Sequence, residues 1–398
     1  MLRLIRSQIQ AWFTQPPNTE SEDELLAIPE HLNAALLKRL EDSSTPPPYQ
    51  QSIQDAIATA IETWQNNIEA PNHLVFLASA VEPTAQIINE SLQHWGSPSL
   101  EVITPLKHLQ RPLNPRYIKQ QICQALADYS QIKTSDFETI TQTLPEEAKQ
   151  KRKTLIIVPA LEQCFLRCIG GWESIEYLRE VIVQNRDCFW VIGCSDWAWN
   201  FLDFVCQISA YFDTIHNLPE LNGENLEKWL TSIARNLVNL DKPESSSNDP
   251  RPAYWEFIAN QACGVSSIAQ YLWLQSLRIK QAEVENLDLD ALKFSSSPEP
   301  DQRLNVYAVK PSLPALPTLT NFDRYILHAI LIHGIIHRRH LSHTLGESES
   351  QIQTRIQWLL KQGILIKKGG NLFIHPLFYL ILKSDLENNN FFVGLSLK

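Results

Sequence analysis

Apolar residues in this chain alternate between two spacings. From Gln51 to Trp64 they recur at helical intervals (Ile53, Ala56, Ile57, Ala60, Ile61, Trp64), which predicts an amphipathic helix. At Leu74–Leu77 they become continuous, which predicts a buried strand, and a helical pattern around Thr84–Trp95 follows. The same change repeats downstream. A strand at Leu100–Ile103 precedes a helix around Pro115–Tyr129, and one at Thr154–Val158 precedes a helix near Trp172–Gln184. Strands at Phe189–Gly193 and, more briefly, Thr214–His216 complete five. The run TLIIV at 154–158 has no polar interruption after its threonine, as expected of a strand covered on both faces. Strand–helix alternation predicts a three-layer α/β domain with a mainly parallel sheet.

Flanking segments read differently. Residues 1–70 are helical stretches broken at Pro16-Pro17 and at Ser43–Pro48. The opening LRLIRSQIQAWF is amphipathic and predicts a helix docked on its own protein, with a membrane surface as the alternative. Asn225–Leu240 and Tyr254–Arg278 predict helices around the polar KPESSSNDPRP. SSSPEPDQ and KPSLPALPTLT predict a linker with extended pieces. Further on, helices are predicted at Asn321–His333, before Gly346, and at Ser348–Gln362. Two short strands across Gly369-Gly370 carry a hairpin signature. Three helices and a hairpin describe a winged helix-turn-helix. The expected domains are an N-terminal helical segment (1–70), an α/β core (71–240), a helical lid and linker (241–300) and the winged helix (315–398).

Composition narrows the class. With 398 residues, 44% hydrophobic and 20% charged, the chain has room for two or three domains. No apolar run reaches the roughly 20 residues a membrane helix needs, and no signal peptide is evident. Seven cysteines without a CxxC pair predict reduced thiols and a cytoplasmic setting. Between Thr320 and Lys383, eight Lys/Arg against three Asp/Glu give +5, so with a total of −10 the remainder carries −15. The C-terminal module therefore differs in electrostatic character.

Strand, short loop and helix over Asn72–Trp95 is the arrangement in which P-loop proteins hold phosphates. The motif G-x-x-x-x-G-K-[ST] uses glycines to turn amides inward, a lysine to neutralise charge and a hydroxyl on magnesium. Here those places fall on Ala78, Pro83, Thr84 and Ala85, and Glu82 stands where an anion would sit. By order and spacing of elements over about residues 50–385, the chain resembles the AAA+ and related STAND-type P-loop ATPases. Among these are origin-recognition-like ATPases with a C-terminal winged helix. The resemblance implies a P-loop-NTPase-like core with a helical lid. It aligns Leu155–Val158 with the apolar part of Walker B, leaving Pro159 and Ala160 where acids belong and Glu162 as the nearest carboxylate. It places Ser195 and Asp196 at the sensor position. Gly264-Val265-Ser266-Ser267 matches the lid motif, with Ser267 in place of its arginine.

Loss of the lysine, glycines, hydroxyl and acids together removes the preorganised charge on which such catalysis depends. The sequence expectation is therefore a catalytically inert relative, not an enzyme, without cofactor, metal or bound nucleotide. It would serve as a regulatory or scaffolding subunit through protein–protein contacts, with an active ATPase as one candidate partner. An ATPase with a site rebuilt on Thr84, Glu162 and Asp196 is the remote alternative.

The nearer alternative is a DNA-binding regulator. On the third helix of the C-terminal module, Ile352, Ile356, Leu359 and Leu360 share one face. The opposite face carries Ser350, Thr354, Gln357, Trp358 and Lys361, with Gln351 and Arg355 at its margins. Thr354, Arg355, Gln357 and Lys361 would read DNA, with Lys367 and Lys368 near the hairpin tip on phosphates. Trp358 on that polar face points instead to a protein contact. His333, His337, His340 and His343 cluster in sequence and are expected to be exposed rather than metal-binding. The aromatic Asp196-Trp197-Ala198-Trp199 is expected to pack in the core.

Overall fold

The computed structural model describes residues 25–93, 95, 100–107, 109–129, 154–235, 238–240, 251–281 and 304–392. The predicted N-terminal amphipathic stretch, the connection at 134–153, most of KPESSSNDPRP and SSSPEPDQ lie outside them.

A five-stranded parallel sheet forms the centre. Its strands are β2 (His73–Ala78), β3 (Glu101–Ile103), β4 (Thr154–Val158), β5 (Cys188–Ser195) and β6 (Ile215–Asn217), in the order β3-β4-β5-β2-β6. All residues of β2, β4 and β5 are buried, which explains their uninterrupted apolar runs. Helices α1 (Glu30–Glu41), α2 (Pro47–Asn66), α3 (Thr84–Gln93), α4 (Ile118–Ala127), α5 (Glu173–Gln184), α6 (Asp196–Cys206) and α7 (Gly223–Ala234) surround it. Helix α2 turns Ile53, Ile57, Ile61 and Trp64 inward, and the Trp64 ring lies 5.5 Å from Phe189 of β5. The Asn72 side-chain amide, just before β2, donates to the carbonyls of Ile182, Asn185 and Cys188 at 2.9–3.3 Å. It thereby fixes where β2 starts beside β5.

A second sheet was not legible in the sequence. It joins β1 (Leu25–Ala27), β8 (Leu277–Lys280), β9 (Leu304–Ala308) and β7 (Val238–Leu240), in the order β1-β8-β9-β7. The helix predicted over Tyr254–Arg278 is in fact α8 (Arg251–Gln261), a turn, α9 (Ser266–Ser276) and the start of β8. The break lies at Cys263 and Gly264, both at positive φ. A Cβ on Gly264 would also come within 2.5 Å of Glu220 Cβ, so glycine is required there for close packing as well as backbone angle.

The C-terminal module comprises α10 (Asn321–His333), β10 (Ile336–His337), α11 (Arg338–Leu345), α12 (Glu349–Lys361), β11 (Leu365–Lys368), β12 (Asn371–Ile374) and α13 (Tyr379–Asn388). Its three strands pair antiparallel in the order β10-β12-β11, with the turn between β11 and β12 at Gly369-Gly370. Thr320 and Asp323 form a capping box at the start of α10. Among the described residues, no helix is long and apolar enough to cross a membrane.

Gly193 in β5 is the point of closest approach between strands and the next turn: a Cβ there would lie 2.4 Å from both the Pro159 carbonyl and Ile88 Cδ1. Gly193→Ala is expected to lower folding stability by about 2–3 kcal/mol through overpacking, read as a drop in the denaturation midpoint at unchanged m-value.

Candidate functional site

Strands β2, β4 and β5 end side by side at Ala78, Val158 and Ser195, with Ala78 opposite Ser195. In open α/β sheets, ligands bind in the crevice beyond these carboxyl ends. Most residues singled out from the sequence do converge there. They are Ala78 with the loop to Thr84, Pro159 and Ala160 with the turn at Leu161–Cys164, and Ser195 with Asp196. Ser195 is the N-cap of α6 and its Oγ accepts from Ala198 N at 3.2 Å.

Two amides of the loop are spent within it. Glu82 N donates to the Ser79 carbonyl and Thr84 N to the Glu82 carbonyl, each at 2.9 Å. Helix α3 then begins at Thr84, with Pro83 just before it. The Glu82 carboxylate turns away to the start of α9. It accepts from Ser266 N and Ser266 Oγ at 2.7 Å, Ser267 Oγ at 2.8 Å and Tyr49 Oη at 3.0 Å. Ser266 is the first residue of α9, so the carboxylate rests on the positive end of that helix. Burial and then the Glu82 charge push the Tyr49 phenol far above its ordinary value, so it remains a donor. A triphosphate with magnesium, which the fold family implies, does not fit this arrangement. Residues 79–85 contain no cation, the amides of Ala80, Glu82 and Thr84 already have acceptors within the chain, and the one acid of the loop is engaged by α9.

Glu162 lies in the turn after β4. One carboxylate oxygen accepts from Ser195 N at 3.3 Å, and burial pushes the carboxyl up to about 7. Burial also raises Asp196 to about 6, against the pull of the Trp197 and Ala80 amides and of Lys383. These two acids are roofed by the C-terminal module. Tyr379 Oη accepts from Trp197 Nε1 at 3.0 Å and reaches Asp196 Oδ2 at 3.5 Å. A methyl on Gly334 would lie only 3.8 Å from Glu162 Cγ and 4.0 Å from the Ala80 carbonyl.

Arg111 fastens this roof. Its buried guanidinium donates to the carbonyls of Phe165 (2.9 Å) and Glu162 in the core, and of Ile335 (2.6 Å) and His333 (3.1 Å) in the module. Burial depresses it to about 10, which leaves it charged at neutral pH. His333 is fully buried and accepts from Arg167 N at 3.2 Å, and His340 shares a 2.9 Å hydrogen bond with the Pro112 carbonyl. The expectation of exposed histidines is thus corrected at His333 and His340, which are buried in the seam, while His343 is exposed. Among the described residues, no group of three or more His, Cys, Asp or Glu is placed to hold a metal ion. Sequence reasoning missed Arg111, Tyr49 and Tyr379, whose partners lie far away along the chain.

The residues assigned to a partner or DNA lie elsewhere, on α12 and the hairpin. Thr354, Gln357, Lys361 and Lys367 are exposed. Arg355 is not free for DNA: its Nε donates to Asp323 Oδ1 at 2.7 Å and its Nη2 to Oδ2, while the guanidinium lies 4.8 Å from the Trp358 ring. Burial alone would raise Asp323, but the bonds from Arg355 and Thr320 outweigh it and hold the carboxyl below its ordinary value. Lys368 pairs with Glu41 of α1 at 2.7 Å.

No family model and no curated protein matches the chain. Solved structures do. A RuvB variant of Thermotoga maritima is 15% identical, with 87% of this chain and 96% of that chain covered and a TM-score of 0.32. Cdc6p of Pyrobaculum aerophilum is 11% identical, covering 87% and 96%, with a TM-score of 0.34. The ORC1 protein of Aeropyrum pernix, solved in complex with DNA, is 13% identical, covering 92% and 100%, with a TM-score of 0.37. These likenesses are to AAA+ ATPases and concern the α/β fold with its parallel sheet. The expectation that the chain is not an enzyme is withdrawn: the proteins it is similar to are ATPases, and the likeness itself shows the fold alone.

Two measurements test the site as described. Glu162 holds a proton in the folded chain that the unfolded chain releases near its ordinary 4.5, so this group's contribution is favourable at low pH and is lost as pH rises through about 7. Glu162→Gln should raise stability by about 3 kcal/mol at pH 8.5, an advantage that shrinks toward pH 4.5; a pH-independent effect would contradict the buried carboxyl. Arg355→Ala leaves the buried Asp323 carboxylate without its partner and should cost about 3–5 kcal/mol, measured by chemical denaturation. An exposed DNA contact would instead change stability by less than about 0.5 kcal/mol.

Proposed function

We propose that the protein is a regulatory or scaffolding subunit that works through protein–protein contacts, with its C-terminal module acting as a winged helix. What supports this most is the filled crevice. The place where a ligand would enter a sheet of this kind is taken by Glu82 on one side and by His333–Ile335 and Tyr379 on the other. The same contacts tie core and module together, which suits a part that presents surfaces to a partner. The contact face is the outer side of α12 with the hairpin: Thr354, Gln357, Trp358, Lys361 and Lys367. DNA is the weaker reading, since of the four cations assigned to it Arg355 is held by the buried Asp323 and Lys368 faces Glu41 at the surface. Regulation by contact is compatible with nucleotide turnover, and measurement separates the two.

A photo-crosslinking residue placed at Gln357 of the full chain, with Glu62 of α2 as control, tests the reading in native extract. Discrete protein adducts at 357 and not at 62 are expected. Adducts with DNA, together with salt-steep DNA binding lost in Lys361→Ala and Lys367→Ala, would transfer the function to nucleic acid. Steady-state hydrolysis of Mg-ATP by the purified chain, abolished by Glu162→Gln, would add turnover to the contact role; absence of protein adducts at 357 would remove that role.

A further inference from the structure

We infer that Glu82 is a resident anion that latches the α8–α9 lid onto the end of the parallel sheet, filling a set of donors built for an oxyanion. Three elements that are distant in sequence meet at this one carboxylate. The loop after β2 supplies the acid, α2 supplies the Tyr49 hydroxyl, and α9 supplies one main-chain amide and two serine hydroxyls. Glu82 and Ser266 are 184 residues apart, so the contact is tertiary and not a local turn. Both carboxylate oxygens are engaged: Oε1 by Tyr49 and Ser266 N, Oε2 by the two serine hydroxyls. Glu82 is 8% exposed, Ser266 4% and Ser267 6%, so water does not compete for these groups.

Charge-assisted bonds in such surroundings are roughly twice as strong as neutral ones. Removing the acceptor takes the carboxylate from two buried serine hydroxyls. It leaves Tyr49 Oη and Ser266 N only longer 3.4 Å contacts, to the Gly264 carbonyl and to Tyr49 Oη respectively, so desolvation is no longer offset in full. The neighbouring backbone is fixed to receive the acid. Gly264 packs against Glu220, and its carbonyl accepts from Leu221 N at 3.0 Å, which sets the direction in which α9 starts. The latch is thus a conformational device within the fold. With the carboxylate in place the lid is shut on the loop and external oxyanions are excluded; without it, the same donors are open to a small carboxylate or phosphate. This arrangement stands on the Glu82 geometry alone and does not depend on which partner the winged helix meets.

The test uses the full chain with Glu82→Gln, which keeps the shape, and Glu82→Ala, which vacates the volume. Hydrogen exchange of the α9 amides is followed, together with calorimetric titration of sodium formate and inorganic phosphate. Both variants should exchange at least about 10-fold faster over Ser266–Ser276 than the wild type, the factor for one bond-equivalent of about 1.4 kcal/mol. Formate or phosphate at millimolar concentration should restore protection in Glu82→Ala, with measurable heat, and leave the wild type unchanged; sodium chloride at equal ionic strength should not. If Glu82→Ala does not fold, Glu82→Gln decides: a 10-fold gain supports the latch. Exchange within twofold of wild type in Glu82→Gln, or a folded Glu82→Ala that ignores both anions, overturns it.

Discussion

A buried guanidinium holds the two halves of this molecule together. Arg111 reaches two main-chain carbonyls in the α/β core and two in the C-terminal module. A buried charge is tolerated only when its donors are satisfied. The position of the module is therefore as constrained as the protonation of Arg111. Everything at the strand ends follows from that placement. Gly334 is carried to Glu162, Tyr379 to Asp196, and the His333 ring to the Arg167 amide. The burial that lifts the two carboxyls toward neutrality is a result of this covering.

The crevice is closed by opposite charges acting in different ways. On the module side a cation binds carbonyl dipoles. On the α9 side an anion binds hydroxyls and the amide at a helix start. Neither uses a direct carboxylate–guanidinium bond; in each, several hydrogen bonds to dipoles offset the cost of taking the charge out of water. By contrast, the module's own interior relies on two bidentate pairs, Arg355 with Asp323 and Arg324 with Asp385. The first of these explains why a residue that reads as a DNA contact serves as internal structure. Helical periodicity placed Arg355 at the margin of the polar face, which is where a long side chain can turn either way.

What could be read from the chain was what local chemistry decides. TLIIV and VIGCS are strands because residues covered on both faces must be apolar. Gly369-Gly370 is a hairpin turn because both positions require positive φ. Thr84 begins a helix because Pro83 precedes it. What could not be read depends on partners hundreds of residues away. Arg111 sits between Gln110 and Pro112 with nothing nearby to suggest burial, and His333 ends an apolar helix in a manner compatible with exposure or with a seam. Glu82 was recognised as an acid where an anion would sit, yet the donors it meets belong to residues read only as a degenerate motif. The sheet joining β1 and β8 brings together strands too short and too distant to announce each other.

The separation of Arg111 from its acceptors has a bearing on biosynthesis. His333 and Ile335 lie 222 and 224 residues further along. At ribosomal speeds of about 5–20 residues per second, that interval is on the order of 10–40 s. Throughout it, the nascent core carries a cation destined for the interior with half its acceptors still unmade. The strand ends meanwhile stay uncovered, making this the period in which chaperone capture or misassembly would have its greatest opportunity.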